Sequence, residues 1–349
     1  MTRKARRNAR RRYRNPRLYR GETTMISKLV ATVALCLGLS LSPLAAQETY
    51  PRHPIRLVVP FPAGGPTDVF ARQYATRMSV VLGQPMVVEN KPGAAGAIGS
   101  TEVARANADG YTLLFGTAST HGLYNLLSKA PKYDSLKDFA PVAIVGSAPA
   151  VVVVHPSGPA DLAALVAAVK ANPGKLQYGS PGTGTFLHLA GEMFKTEAGR
   201  LDIPHIPYKG SAPAMNDLIG NQVGMVIDTL GTSIEQHRGG KARILAVAAA
   251  KRSELAPDIP TVDEALGTKG FEAGLWNVVA APKGTPAPEL AVLAEATRRV
   301  MAEPDVQAQL SRIGIDPVTD SSPAKAAAFI ERERARFGPV VQAAGVSID

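Results

Sequence analysis

The sequence predicts an α/β fold with mostly parallel sheets, and three observations lead there. Short apolar, β-favouring runs recur along the chain, each followed by a loop of Gly, Ser, Thr and Pro. Behind each loop, apolar residues return at helical spacing. At 349 residues, 45% hydrophobic and 19% charged, the chain has material for two domains and an ample core, and its composition excludes collagen, coiled coil and polytopic membrane protein.

Ile55 to Val59 reads as the first strand. Pro60-Phe61-Pro62-Ala63-Gly64-Gly65-Pro66-Thr67-Asp68 breaks it, and Phe70, Tyr74, Met78 and Val81 then share one helix face, with Thr67 or Asp68 placed to cap that helix. Met86 to Glu89 is the second strand, Asn90-Lys91-Pro92-Gly93-Ala94-Ala95-Gly96 a second Gly-rich loop, and a helix follows through Arg105. Asp109-Gly110 turns into a third strand, Tyr111 to Phe115, which opens into a third polar loop, Gly116-Thr117-Ala118-Ser119-Thr120. Val151 to Val154 is a strand, and Asp161 to Ala171 is an Ala-rich helix stopped by Asn172-Pro173-Gly174. Gln177-Tyr178 leads into Gly179-Ser180-Pro181-Gly182-Thr183-Gly184-Thr185 and then a helix from Phe186 to Glu197. Ser211 to Asn221 is a helix, Met225 to Ile227 a strand ending at Asp228, and Arg243 to Ala248 another strand. Ser322-Pro323 supplies an N-cap and a first helical position for a helix whose face carries Ala326, Ile330 and Phe337. Two domains are expected. The chain crosses between them near Gly146–Ala150 and returns near Gly270–Leu275, where Trp276 is expected to pack the hinge.

Charge does not point to nucleic acid. Eleven of the 39 Lys and Arg and one of the 29 acids fall in residues 1–46, which carry the whole net +10; the rest of the chain holds 28 of each sign. Lys28, the apolar run Leu29 to Leu41 and the small residues up to Ala45-Ala46 have the layout of a cleaved secretory signal peptide. The run falls short of the about 20 residues that span a bilayer, which weighs against the alternative of a membrane anchor. Cleavage is expected after Ala46, giving a periplasmic product. The long Arg-rich stretch points to translation from Met25 rather than Met1; a twin-arginine signal at Arg11-Arg12 is the alternative, though no Phe-Leu pair follows. Cys36, the single cysteine, lies inside the apolar run, so no thiol nucleophile, disulfide or Cys-ligated metal is expected in the processed chain.

There is no P-loop, no Gly-x-Gly-x-x-Gly after a strand, and no pair among the six histidines at metal-ligand spacing, so neither cofactor nor metal is expected. Tyr178-Gly179-Ser180-Pro181-Gly182 is a loose likeness of a nucleophile elbow, which keeps an exported serine hydrolase using Ser180 as the alternative function. The prominent chemistry is instead a set of Gly-, Ser- and Thr-rich loops that open helices. A helix start offers free N–H groups and partial positive charge to an anion, and glycine lets the backbone approach it. At about 1.5–3 kcal/mol for each charged hydrogen bond, roughly four to six of them hold a small carboxylate without an arginine.

Four motifs make this reading specific. The stretch Ile55 to Asp68, the loop Val88 to Gly96, the run Tyr178-Gly179-Ser180 through His188-Leu189-Ala190-Gly191-Glu192, and Pro207-Tyr208-Lys209-Gly210-Ser211-Ala212-Pro213-Ala214 resemble, in order, the motifs of the Bug family, the extracytoplasmic solute-binding proteins of tripartite tricarboxylate transporters. The resemblance covers residues 50–349. It implies a two-lobed Venus-flytrap fold, with residues 47–148 and 275–349 in one lobe and 149–274 in the other, holding a small organic carboxylate between them. It also implies that two loops, Phe61 to Asp68 and Gly93 to Gly96 (with Ala94), grip one carboxylate like a pincer. The partner implied is the transporter's membrane permease or a sensor, and the expected state is a monomer.

Within that frame Gly64, Gly65 and Thr67 are expected to offer N–H and hydroxyl donors, and Asp68 either contacts the ligand or caps its helix. Ser119 and Thr120 are candidate donors after the third strand. Ser180, Gly182, Thr183 and Thr185 would supply the second lobe's contacts, with His188 packing or orienting their loop. Asp228, at a strand end, either meets a polar or cationic group or bonds a neighbouring loop.

Overall fold

The computed structural model describes residues 50–348; the expected leader, its cleavage site and Cys36 lie outside the described residues. The chain opens with β1 (Ile55–Val59), α1 (Pro66–Leu82), β2 (Met86–Asn90), α2 (Ala97–Ala104) and β3 (Thr112–Thr117). Both outer strands pair parallel to β1, and α1 buries Phe70, Tyr74 and Met78 under them, as their spacing predicts. Each such fully buried side chain contributes about 1.5–3 kcal/mol. The cap of α1 is neither Thr67 nor Asp68: Gly65 holds the N-cap, Pro66 follows it, and the two polar residues lie inside the first turn. Proline fits there because its missing N–H would have no intrahelical partner.

The third polar loop starts two residues later than expected and is fully enclosed. Gly116 and Thr117 extend β3, and residues 118–123 wind into a buried π-helical turn leading to α3 (Tyr124–Leu127). The strand expected at Val151 to Val154 is the tail of a much longer one, β4 (Phe139–Val154). Pro141, Gly146 and Pro149 obscure its first part, and register shifts at Pro141/Ala143 and Ile144/Gly146 accommodate them.

After β4 come α4 (Leu162–Ala171), β5 (Tyr178–Ser180), α5 (Phe186–Glu197), β6 (His205–Pro207), α6 (Ser211–Ile219), β7 (Met225–Thr229), α7 (Leu230–Arg238), β8 (Arg243–Val247) and α8 (Val262–Leu266). Asp161 and Thr185 cap α4 and α5 through their side chains. The chain then returns as β9 (Gly274–Pro282) and closes with α9 (Ala287–Ala302), α10 (Pro304–Arg312), β10 (Asp316–Pro317) and α11 (Pro323–Ala344), the last capped by Ser322 and burying Ala326, Ile330 and Phe337.

The strand order is β2-β1-β3-β9-β4-β7-β5-β6, with β8 and β10 also on β4. The sheet is α/β throughout but mixed rather than mostly parallel. Its wings, β2-β1-β3 and β7-β5-β6, are parallel, whereas every ladder to β4 or β9 is antiparallel. The reason is connectivity. β4 carries the chain out of one set of strands and into the other: Phe139 to Pro149 pair with β9, and Ala150 to Val154 pair with β7. A strand bringing the chain back beside β4 runs against it. Trp276 faces Ser147 in that ladder, is buried, donates its indole N–H to Glu333 at 3.0 Å and meets Phe329 edge-on.

Candidate functional site: three helix starts on one cavity

The starts of α1, α5 and α6 converge on a cavity of about 100 Å³. Thr67 lines it from α1, Phe186 and Leu187 from α5, and Ser211 and Ala212 from α6. The first N–H groups of each helix lack intrahelical acceptors and carry the positive end of the helix dipole. Ser119 completes the wall from the turn after β3, and its hydroxyl accepts the Phe186 N–H at 2.9 Å. That acceptance leaves the Ser119 proton free to donate.

The β1–α1 loop is held in shape by its own side chains. Buried Asp68 accepts the Gly64 N–H at 2.9 Å, the Asn90 amide at 2.9 Å and Arg72 Nε at 3.0 Å. Asn90 also donates to the Phe61 carbonyl at 3.0 Å. Burial by itself would raise the Asp68 carboxyl, but the bonds from Arg72, Gly64 and Asn90 together hold it below the usual carboxylate value. Asp68 is therefore spent on the loop, and so is the Gly64 N–H. Gly64 sits at φ +78°, a conformation that favours glycine, and lines a neighbouring cavity instead.

The two expected pincer loops part company at Phe61. A Cβ on Gly96 would lie 3.1 Å from the Phe61 ring and 2.7 Å from Thr120 Cγ2, so the second loop packs directly behind that ring. Gly93, Ala94 and Gly96 line an adjoining groove shared with Gly182 and Thr183; Phe61, Thr185 and Lys209 line both spaces. Gly65, Thr67, Ser119 and Thr185 thus meet in the small cavity with Phe61, and the residues of the second loop do not.

Thr120 is turned inward. Its hydroxyl accepts the Thr117 N–H at 2.9 Å and donates to the Thr117 carbonyl at 3.1 Å, closing the π-helical turn. Ser180 is fully buried, with Oγ 2.7 Å from His205 Nε2. His205 stacks on His188 at 3.9 Å, and burial, then the neighbouring His188 and Lys195, push the His205 ring down to about 3. His188 Nδ1 accepts the Gly184 N–H at 3.1 Å, which fixes the loop before α5. Asp228 is buried under the neighbouring cavity, its Oδ1 accepting from Ser211 and Thr229.

Sequence reasoning placed a helix from Ser211 and counted Pro207 to Ala214 among the family motifs, but assigned no ligand contact to the start of α6. Its signal was present: Gly210 followed within three residues by Pro213 repeats the Gly65-Pro66 punctuation before α1, and Gly210 has φ +119°. It also passed over Lys209, an exposed cation on the cavity's edge.

Comparisons with known proteins identify the family and the fold. Residues 70–346 match the family described as tripartite tricarboxylate transporter family receptor. The chain is 37% identical over 327 residues to Protein BugT of Bordetella pertussis, covering 93% of this chain and 99% of that protein. Among solved structures it is similar to the periplasmic binding protein BugD (38% identity, TM-score 0.80, 85% of this chain and 99% of that one). It is also similar to R. palustris Rpa4515 with adipate (36%, TM-score 0.82, 86% and 99%) and to MatC from Rhodopseudomonas palustris with bound malate (32%, TM-score 0.78, 84% and 100%). With its α/β fold and its four motifs in order, the chain belongs to the tripartite tricarboxylate transporter receptor family, the family of the Bug solute-binding proteins.

Proposed function

We propose that this protein is a periplasmic receptor that captures one small organic carboxylate between two lobes, 47–148 with 275–349 and 149–274, and hands it to the permease of a tripartite tricarboxylate-type transporter. The observation that carries the reading is the convergence of the three helix starts on one cavity. Backbone N–H groups of Thr67, Leu187 and Ser211, together with the Ser119 and Thr67 hydroxyls, form a donor set suited to a carboxylate. Lys209 adds long-range attraction from the edge. The adipate and malate held by its structural relatives are small carboxylates of the same kind. Among the described residues no helix is long and apolar enough to cross a membrane, which accords with an exported receptor whose residues 1–46 are removed.

One observation favours a second reading. Ser180 and His205 stand at the distance a nucleophile and its base require. Three features argue against a hydrolase. Ser180 is fully enclosed and lines neither the helix-start cavity nor the groove beside it. Its Oγ already accepts the Gly182 N–H at 3.2 Å. His205, pushed down to about 3, is a poor base. The pair is read as a buried brace for the loop that carries Thr185.

Denaturing the purified protein and identifying the released small molecule by mass spectrometry tests the proposal, followed by calorimetry with that compound. The expected result is a single carboxylic acid that rebinds with one-to-one stoichiometry. Failure to release any acid, joined to no heat with mono-, di- and tricarboxylates, aromatic acids and acidic amino acids, would overturn it.

A further inference from the structure

The groove beside the helix-start cavity is the larger of the two spaces, about 620 Å³ against about 100 Å³. They adjoin: Phe61, Pro62, Pro181, Thr185, Lys209 and Gly210 line both. Pro62 stands at the join with its ring on Gly210, where a Cβ would lie 3.3 Å from Pro62 Cγ. The smaller cavity leaves little room beyond a head group. An acid held there by its carboxylate sends the rest of its body into the groove.

The groove's chemistry differs from that of the helix starts. No Asp, Glu, Arg, His, Asn or Gln lines it. Four lining residues, Pro62, Pro92, Pro181 and Pro207, have no backbone N–H to give. Tyr208 gives its hydroxyl proton to Asp217 at 2.9 Å, and Thr185 gives its own to the Gly182 carbonyl at 2.8 Å. The N–H groups of Gly182, Tyr208 and Gly210 donate to Ser180 Oγ at 3.2 Å, the Ser180 carbonyl at 3.0 Å and the Pro181 carbonyl at 3.2 Å. The side-chain donors that remain on the groove, Thr183 and Lys209, are both exposed. A ligand body bearing hydroxyls or a second charge therefore gives up water here without a buried side-chain partner, whereas a hydrocarbon body gains from leaving water.

We infer that the ligand is a monocarboxylic acid with an apolar body, its carboxylate at the helix starts and its hydrocarbon in the groove. The groove then selects it over dicarboxylic and amino acids of equal length. This rests on the carboxylate reading and narrows it. Each further CH₂ buried against the proline and aromatic rings should tighten binding about fourfold.

The test is calorimetry at neutral pH, on protein freed of resident ligand, with three six-carbon acids: hexanoate, adipate and 6-aminohexanoate. They differ only in the far end, which is a methyl, a carboxylate or an ammonium group. Hexanoate should bind at least tenfold tighter than either of the others. Thr183→Arg places a guanidinium on the groove at an exposed position, and should shift the ratio of affinities at least tenfold toward adipate. Adipate binding as tightly as hexanoate in the unmodified protein would reveal a second anion anchor, and 6-aminohexanoate doing so would reveal a cation partner; either overturns the inference. So does an unchanged ratio in folded Thr183→Arg. No heat from these three beside clear binding of a hydroxylated or tricarboxylic acid would overturn the inference and leave the carboxylate reading standing. No heat from any carboxylate would overturn both.

Discussion

The backbone N–H of Phe186 donates to the Ser119 hydroxyl at 2.9 Å, tying the first turn of α5 to the π-helical turn behind β3. Sixty-seven residues separate the partners, and they belong to elements on opposite sides of the sheet crossing. One hydroxyl thus joins the two halves and faces the cavity where the helix starts meet. Ser119→Ala should leave the fold intact, strand the Phe186 N–H and remove a donor to the ligand. The cost is about 1–3 kcal/mol, or roughly a fivefold to hundredfold loss of carboxylate affinity. Calorimetry decides it, and unchanged affinity would remove Ser119 from the site.

How the anion is anchored can be separated by three substitutions. A Cβ on Gly65 would meet Pro62 O at 3.4 Å, an ordinary contact, so Gly65→Val is tolerated by the backbone while its methyl groups occupy a cavity of only about 100 Å³. Affinity should fall about a hundredfold. Lys91 lies 3.9 Å from Glu102 and lines neither cleft cavity, so Lys91→Ala should change affinity less than about threefold. Lys209→Ala should have a small effect that disappears at high salt, as screening predicts for an exposed charge. Abolished binding in Lys209→Ala beside normal binding in Gly65→Val would make a side-chain cation the true anchor.

Asp228 should make stability depend on pH in an unusual direction. Its ordinary value of 3.8 is raised to about 6 by burial, against smaller opposing effects of Thr229, Ser211 and Thr232. The folded state therefore binds this proton more tightly than the unfolded state. The resulting stabilisation is present at low pH and is lost as pH rises through about 6, leaving a cost of about 3 kcal/mol at neutral pH. Asp228→Asn should melt several degrees higher than the unmodified protein at neutral pH, and the gap should close near pH 4. Equal melting temperatures at both pH values would show that Oδ2 is satisfied in solution.

Buried His121 works the other way. Desolvation, and behind it Arg334, push the ring down to about 3, and Nε2 has no partner. Its contribution is present above the unfolded histidine value of about 6.5 and is lost as pH falls toward 3. The unmodified protein should therefore lose stability on acidification below about pH 6 despite the gain at Asp228. His121→Gln should flatten that acid limb in a thermal-melt series; an unaltered limb would assign the loss to other groups.

Much of this was readable from residue order, and the failures have physical causes. Helix faces such as Phe70, Tyr74 and Met78 follow from periodicity, and the capping by Ser322 follows from local chemistry. The first half of β4 was hidden because prolines and Gly146 imitate a loop, and only pairing with β9 makes it a strand. Asp68 looked like a ligand contact or a cap because both uses call for a short acid at a helix start. Only the fold shows that Asn90, twenty-two residues on, comes to share it with Gly64. The inward turn of Thr120 and Ser180 was likewise invisible, since a hydroxyl's direction depends on the sheet around it.

Closure of the two halves has its own contact to test. The start of α7 and the turn before β10 approach so closely that a Cβ on Gly231 would fall 1.9 Å from the Ile313 carbonyl oxygen. Backbone cannot yield as a side-chain tip can, so Gly231→Ala must push these segments apart. Gly231 belongs to the proposed lobe 149–274 and Ile313 to the other. If the lobes close on a ligand, the substitution should hold them open, since ligand binding draws on the population of the closed form. The variant should show a larger radius of gyration by small-angle scattering when ligand is present, and a carboxylate affinity about tenfold lower or worse. A Gly231→Ala protein that contracts on ligand addition as the unmodified protein does, and binds as tightly, would mean that the two halves do not move against each other at this contact.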